Sequence, residues 1–275
     1  MATDPVAAAN RPTVGSRRAV PRSTTVREAQ DARRNRHSGR SRRKRLRLLD
    51  GFELVSEGVP VPLPMSAQRV LAFVALHERP LQRPYVAGSL WLDSPQERAH
   101  ANLRSALWRV HRCGLGVVRA VGQQLALDPG VVVDVRESEA WARCALDANT
   151  PIPALEASAF TGDLLPDWYE DWVSLRRECH RQLRLQALDA LCERFMHEGR
   201  LRDALEVGLA AVASEPLRET AHRAVVLVHL TQGNVGEAIR HYRLCRRILN
   251  EQLGIEPSRR MEQLVCAFEV AKRVR

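Results

Sequence analysis

The 275-residue sequence predicts a mainly α-helical chain in which a small α+β module precedes an all-α one. Three observations carry this. Short alternating runs punctuated by Gly, Asp and Pro are confined to residues 46–64 and 117–135. Between them, apolar residues recur at helical spacing over 66–113. From Glu137 onward the pattern reads as helix to the end, and one short motif returns after 34 residues.

Taken in order, residues 1–45 are rich in Arg, Ser, Ala and Pro without apolar periodicity, and predict a disordered tail. LRLLDGFELVSEGVPVPLP, from Leu46, predicts two or three antiparallel strands turned at Asp50-Gly51 and Glu57-Gly58. SAQRVLAFVALHERP predicts a helix capped by Ser66, with Val70, Leu71, Phe73, Val74 and Leu76 facing the core and Pro80 ending it. PYVAGSLW (84–91) predicts a short second helix.

A third helix over 95–113 has Ser94 as cap, Pro95 at its first position and Gly114 as its stop. At about 100° per residue, Ala99, Leu103, Ala106, Leu107 and Val110 form one inward stripe. Arg98, Arg104, Ser105, Trp108, Arg109 and Arg112 point outward, and no acid occurs between 98 and 112. VVRAV and QQLALDPG, turned at Gly122-Gln123, predict a hairpin, and VVVDV follows it. Strands, three helices and a hairpin describe a winged helix-turn-helix, whose third helix enters the major groove of DNA.

In the second half, helices are expected at 137–146, through a long segment after the breaks at Pro151 and Pro153, and at 201–214, 217–231 and 235–252, with a final helix after Pro257. GRLRDAL (199–205) returns as GNVGEAI (233–239). Gly199 to Gly233 and Ala204 to Ala238 are both 34 residues apart, the tetratricopeptide period. The fold class is therefore a winged helix-turn-helix followed by an all-α tetratricopeptide-like domain. The expected segments are a tail (1–45), a winged-helix DNA-binding domain (46–146) and the helical domain (147–275).

The net charge of +10 suggests a polyanionic partner, but it resides in residues 1–45, with 13 Lys+Arg against 3 acids. The remainder holds 29 of each sign, so the high pI alone does not argue for DNA. The tail reads either as inert or as a non-specific phosphate grip. No apolar run reaches the ~18 residues of a membrane helix and no signal core follows the basic N-terminus, so a cytoplasmic protein is expected. Six cysteines (113, 144, 179, 192, 245, 266) without C-x-x-C spacing predict buried, reduced thiols and no metal site.

Catalytic motifs are missing from the sequence. Neither lysine, Lys44 nor Lys272, follows a glycine, so there is no Walker A motif, and G-x-S-x-G and G-x-G-x-x-G are also absent. His77-Glu78 and His197-Glu198 lack the second histidine of a zinc-protease helix. Asp167, Glu170 and Asp171 around Trp168 and Trp172 are explained by the start of a helix after Pro166. No enzyme, catalytic residue, metal or cofactor is expected. The candidate site is the outward face of helix 95–113, with Arg119, Gln123 and Gln124 of the hairpin beside it. Arginines there reach guanine edges or phosphates, Ser105 either, and Trp108 offers apolar area to a partner.

The order of parts resembles the Streptomyces antibiotic regulatory protein (SARP) family. LRLLDGFEL, SAQRVLAFVALHERP, LWLDSPQERAHANLRSALWRV and VVVDV resemble its OmpR-type winged helix. FTGDLLPDWYEDWVSLRRE, GRLRDALE and EPLRETAHRAVVLVHLTQGNVGEAIRHYRLCRRILNEQLGIEPS resemble its bacterial transcriptional activator domain. The sequence departs from the family at Trp108, where a small polar residue is common. The resemblance implies a transcriptional activator that binds double-stranded DNA at promoter repeats as a homodimer, contacts RNA polymerase and associates with the nucleoid when bound. Two other readings fit the residues. In one, the helical domain and a non-DNA-binding winged helix form a protein-interaction scaffold anchored at Trp108. In the other, the tail alone binds nucleic acid.

Overall fold

The structure, a computed structural model, describes residues 44–147, 150 and 162–273. The expectations for the tail before Lys44 and for Pro151 and Pro153 lie outside the described residues. In chain order the first half is β1 (Lys44–Arg47), β2 (Glu53–Ser56), β3 (Val59–Pro60), α1 (Met65–Ala75), β4 (Leu81–Gln82), α2 (Arg83–Leu90), α3 (Gln96–Arg112), β5 (Val118–Val121), β6 (Gln124–Leu127) and β7 (Val131–Val133). The second half is α4 (Asp134–Leu146), α5 (Asp171–His197), α6 (Leu201–Ser214), α7 (Glu219–Thr231), α8 (Val235–Leu253) and α9 (Arg259–Arg273). The fold class is the one the sequence predicts: a winged helix ahead of a helical domain.

Alternation builds the first sheet. Leu46, Leu48 and Leu54 point into the core while Arg45 and Arg47 face solvent. β1 and β2 pair antiparallel, β3 follows through the Glu57-Gly58 turn, and β7 runs parallel to β1, giving the order β3-β2-β1-β7. A second sheet has the order β4-β6-β5, with Leu81 opposite Leu125. The β5–β6 hairpin turns at Gly122-Gln123 as expected. β4 was not expected, because two residues after Pro80 carry no readable alternation; it exists through its pairing with β6.

Two caps differ from expectation. Pro64 and Pro95 stand at the N-caps of α1 and α3, and neither Ser66 nor Ser94 makes a capping hydrogen bond. Proline pre-sets the backbone there, so the cap of α1 lies two residues before the expected serine and that of α3 one residue after it. The core faces hold: Val70, Leu71, Phe73, Val74 and Leu76 are buried, and so are Ala99, Leu103, Ala106, Leu107 and Val110. The cysteine expectation needs correction. Cys192 and Cys245 are buried, Cys113 is half-buried, and Cys144, Cys179 and Cys266 are exposed because their helix positions fall off the packed stripes.

Successive helices pack in pairs from α4 through α9. The 34-residue repeat appears in the hydrogen bonds as well as the letters. Arg200 N donates to Phe195 O and Gly199 N to Met196 O; Asn234 N donates to His229 O and Gly233 N to Leu230 O. Both glycines take a positive φ, +73° and +77°, which closes the preceding helix in the left-handed conformation other residues avoid. Ala204 and Ala238, five residues on, are fully buried at the helix crossings. Gly208 serves a different need: a Cβ there would lie 3.0 Å from the Val225 side chain, tighter than ordinary contact, so its absence lets α6 and α7 approach without displacing Val225.

The two halves share apolar core. Leu164, Leu165, Trp168 and Val173 pack in one cluster with Leu46, Leu48 and the buried face of α1. Leu165 N donates to Leu48 O and Asp50 N to Asp163 O. Arg177 on α5 donates to the carbonyls of Leu164, Leu165 and Trp168, holding this loop in shape. Glu170 forms an ion pair with Arg69 of α1 and accepts a hydrogen bond from Trp172, so this acid is a tie between the halves.

Candidate nucleic-acid interface

α3 presents the expected face. Apolar stripe residues bury on α1 and α2, which turns Arg98, Arg104, Ser105, Trp108, Arg109 and Arg112 to solvent. Trp108 is 59% exposed, far more than packing alone would leave a residue of that size. Its indole is not bare, however. The Arg112 guanidinium sits 5.2 Å from the ring centroid, one turn along, and this cation–π contact orients both side chains.

The arginines divide by their partners. Arg98 and Arg104 make no hydrogen bond or ion pair among the described residues and extend into solvent. Arg109 Nη1 donates to Ser66 Oγ at 2.9 Å, at the start of α1. Ser66, expected as a cap, is instead an acceptor that fixes an arginine of the candidate face. Nothing local in the sequence signals this pairing between residues 43 apart. Glu97 precedes the face, in the first turn, where a carboxylate suits the helix dipole.

In the hairpin, Arg119 and Gln123 are exposed and Gln124 is half-buried. Arg119 lies 4.0 Å from Asp128, which also pairs with Lys44 at 3.7 Å, so the charge of Arg119 is partly offset. The Gln123 carbonyl accepts from Arg83 N at the start of α2, and this ties the hairpin turn to the helical part. Gln124 lies in register with Gln82 of β4 and Val121 of β5. Eight of the nine expected residues are thus exposed, six on one helix and two on the hairpin that follows it; Gln124 is engaged in the sheet.

Among the described residues, no group of three or more His, Cys, Asp or Glu is placed to hold a metal ion. Among the described residues, no helix is long and apolar enough to cross a membrane. Burial pushes the thiols of Cys192 and Cys245 up to about 11, well away from nucleophilic use.

Residues 133–267, from the end of β7 into α9, match the family model of the bacterial transcriptional activator domain. The chain thus carries this domain directly after a winged helix, the arrangement expected from its resemblance to the SARP-type transcriptional regulators. Among individual proteins, it is 26% identical over 230 residues to regulatory protein AfsR of Streptomyces griseus, covering 78% of this chain and 23% of that protein. It is 25% identical over 187 residues to AfsR of Streptomyces coelicolor, covering 64% of this chain and 19% of that one. The chain therefore spans under a quarter of the length of these curated relatives. Its fold is similar to that of Mycobacterium tuberculosis EmbR, solved in complex with a low affinity phosphopeptide. The TM-score is 0.60 at 21% identity, over 82% of this chain and 64% of that one.

Proposed function

We propose that the chain is a sequence-specific, DNA-binding transcriptional activator that reads promoter repeats with α3. In this reading residues 46–146 are the DNA-binding domain, and residues 147–275 are a tetratricopeptide-like domain that contacts RNA polymerase and a second copy of the chain on adjacent repeats. It works without a cofactor and without catalysis, in the cytoplasm and on the nucleoid. The observation that carries the reading is the outward face of α3: four arginines, a serine and a tryptophan, no acid between 98 and 112, and a fully buried opposite stripe. Arg98 and Arg104 are free to meet bases or phosphates, Arg109 and Arg112 are pre-oriented, and Arg119 and Gln123 serve the flanking backbone, with Gln124 beside them.

Selection of bound fragments from the host's genomic DNA, by the full chain in moderate salt, tests this against an Arg104→Ala/Trp108→Ala variant. A repeated motif recovered by the natural protein and lost by the variant supports the reading. Recovery of no enriched fragment overturns it, and enrichment unchanged in the variant removes α3 from the interface. Arg109 is left intact because of its bond to Ser66.

A further inference from the structure

A cavity of about 710 Å³ opens between α6, α7 and α8, outside the surface described above. Its walls combine two chemistries. Leu209, Ile239 and Leu244 supply apolar area, whereas Arg240, Arg243 and Arg247 line it from a single face of α8, at the i, i+3, i+7 spacing that stacks side chains in a row. Arg240 bonds to Glu237, the one acid in the wall. Arg243 and Arg247 make no hydrogen bond or ion pair among the described residues.

Two histidines add ring nitrogens to the wall. His229 and His241 line the same cavity, and the buried Nδ1 of His229 has no hydrogen-bond partner. A buried ring nitrogen left unpaired is costly, and a ligand that supplies a partner recovers that cost. Behind them, His222 Nε2 donates to Pro216 O, which leaves its Nδ1 as an acceptor for His241 Nε2, 3.1 Å away. His241 is thereby held as a donor on one nitrogen, with only Nδ1 left to take a proton. Burial, with His222 and His229 beside it, holds His241 down to about 4. A negative charge in the cavity would oppose that shift.

We propose that this cavity binds a small organic anion, a doubly charged phosphate ester or a polycarboxylate on a short carbon skeleton, held by Arg243 and Arg247 and oriented by His229. The volume lies within the usual range for small-molecule sites. Mixed walls match a ligand with a few carbons beside its charge, and one acid among three arginines selects for anions. Such a site gives the helical domain an input of its own, independent of what α3 contacts.

The test uses the full chain and two probes, glycerol 3-phosphate and tricarballylate, read by the NMR ring signal that His229→Asn removes. Saturable movement of that signal with either probe is expected, and the probe that acts identifies the head group. Arg243→Gln/Arg247→Gln weakens the response about tenfold or more, the loss of at least one charge-assisted contact. Arg202→Gln/Arg223→Gln, on arginines outside the cavity, leaves it unchanged. Both cavity arginines are exposed and without partners among the described residues, and an unchanged thermal melt verifies that the variant folds; should it not, Arg247→Gln alone replaces it. Silence with both probes overturns the proposal, as does a response equal in the double variant. Movement with an acidic peptide and neither small anion overturns it in favour of a protein partner.

Discussion

Arg104 and Arg109 stand on the same exposed face of α3 yet are prepared differently. Arg109 gives one of its donors to Ser66, whereas Arg104 keeps all of its own. Arg104→Ala is therefore expected to weaken binding to a selected fragment by about 1–3 kcal/mol and to relax preference at one position, if it reads a base. Ser66→Ala is expected to cost less than Arg104→Ala, because it only frees a side chain that remains present. Fluorescence anisotropy with labelled fragments measures both. The exposure of Trp108 was legible in the sequence because helical periodicity is local: five apolar residues fix the inward stripe, and everything opposite must face out. The Ser66 contact was not legible, since it depends on how two helices cross. Nor was the stacking of Arg112 on Trp108, though the i, i+4 spacing allows it.

Among the elements, α5 carries the most structural duty. Arg177 satisfies three carbonyls of the 164–168 loop, and Arg177→Met leaves them without that donor at a cost of about 3 kcal/mol, read as a lowered melting temperature. His180, on the same helix, is buried against Ser138 of α4. Burial first, then Arg184 and Arg176, hold its pKa down from 6.5 to about 4 against the opposing pull of Asp163. Because the folded value lies below the unfolded one, the neutral ring favours the fold above pH 6.5, and this stability is lost as pH falls towards 4. Between pH 7 and pH 5 the loss is about 2 kcal/mol, and denaturant titrations should show His180→Gln with a flatter profile over that window. The helix order and the repeat were readable because Gly199, Gly233, Ala204 and Ala238 repeat both in letters and in contacts. Serine caps were misplaced at α1 and α3 because Pro64, two residues before Ser66, and Pro95, directly after Ser94, also suit a helix start. β4 escaped because two residues are too few to alternate.

For the whole molecule, the shared core makes cooperative unfolding the expectation. Trp168 lies in the loop before α5 but packs in the cluster built by β1 and α1, stacking with Phe52 and meeting Trp172 edge to face. Trp168→Ala should destabilise by about 3–5 kcal/mol. Hydrogen exchange should rise in the winged helix and the helical domain together; exchange confined to one would mean that the halves fold separately. The sequence showed two modules and the acid-poor arginine face, but not the loop through which they join, since 162–168 carries no periodic signal. α5, at 27 residues and about 1.5 Å per residue, is a rod of roughly 40 Å. Val173 near its start belongs to the core of the winged helix, and Phe195 near its end to that of the helical pairs. Hybrid regulators assembled by exchanging lobes between relatives are constrained by this. A splice placed within 148–161 would hand the recipient winged helix a foreign Leu164, Leu165 and Trp168, against a groove shaped for other side chains. The transferable unit is the helical lobe together with the surface on which its leading loop rests, and a working graft has to carry both.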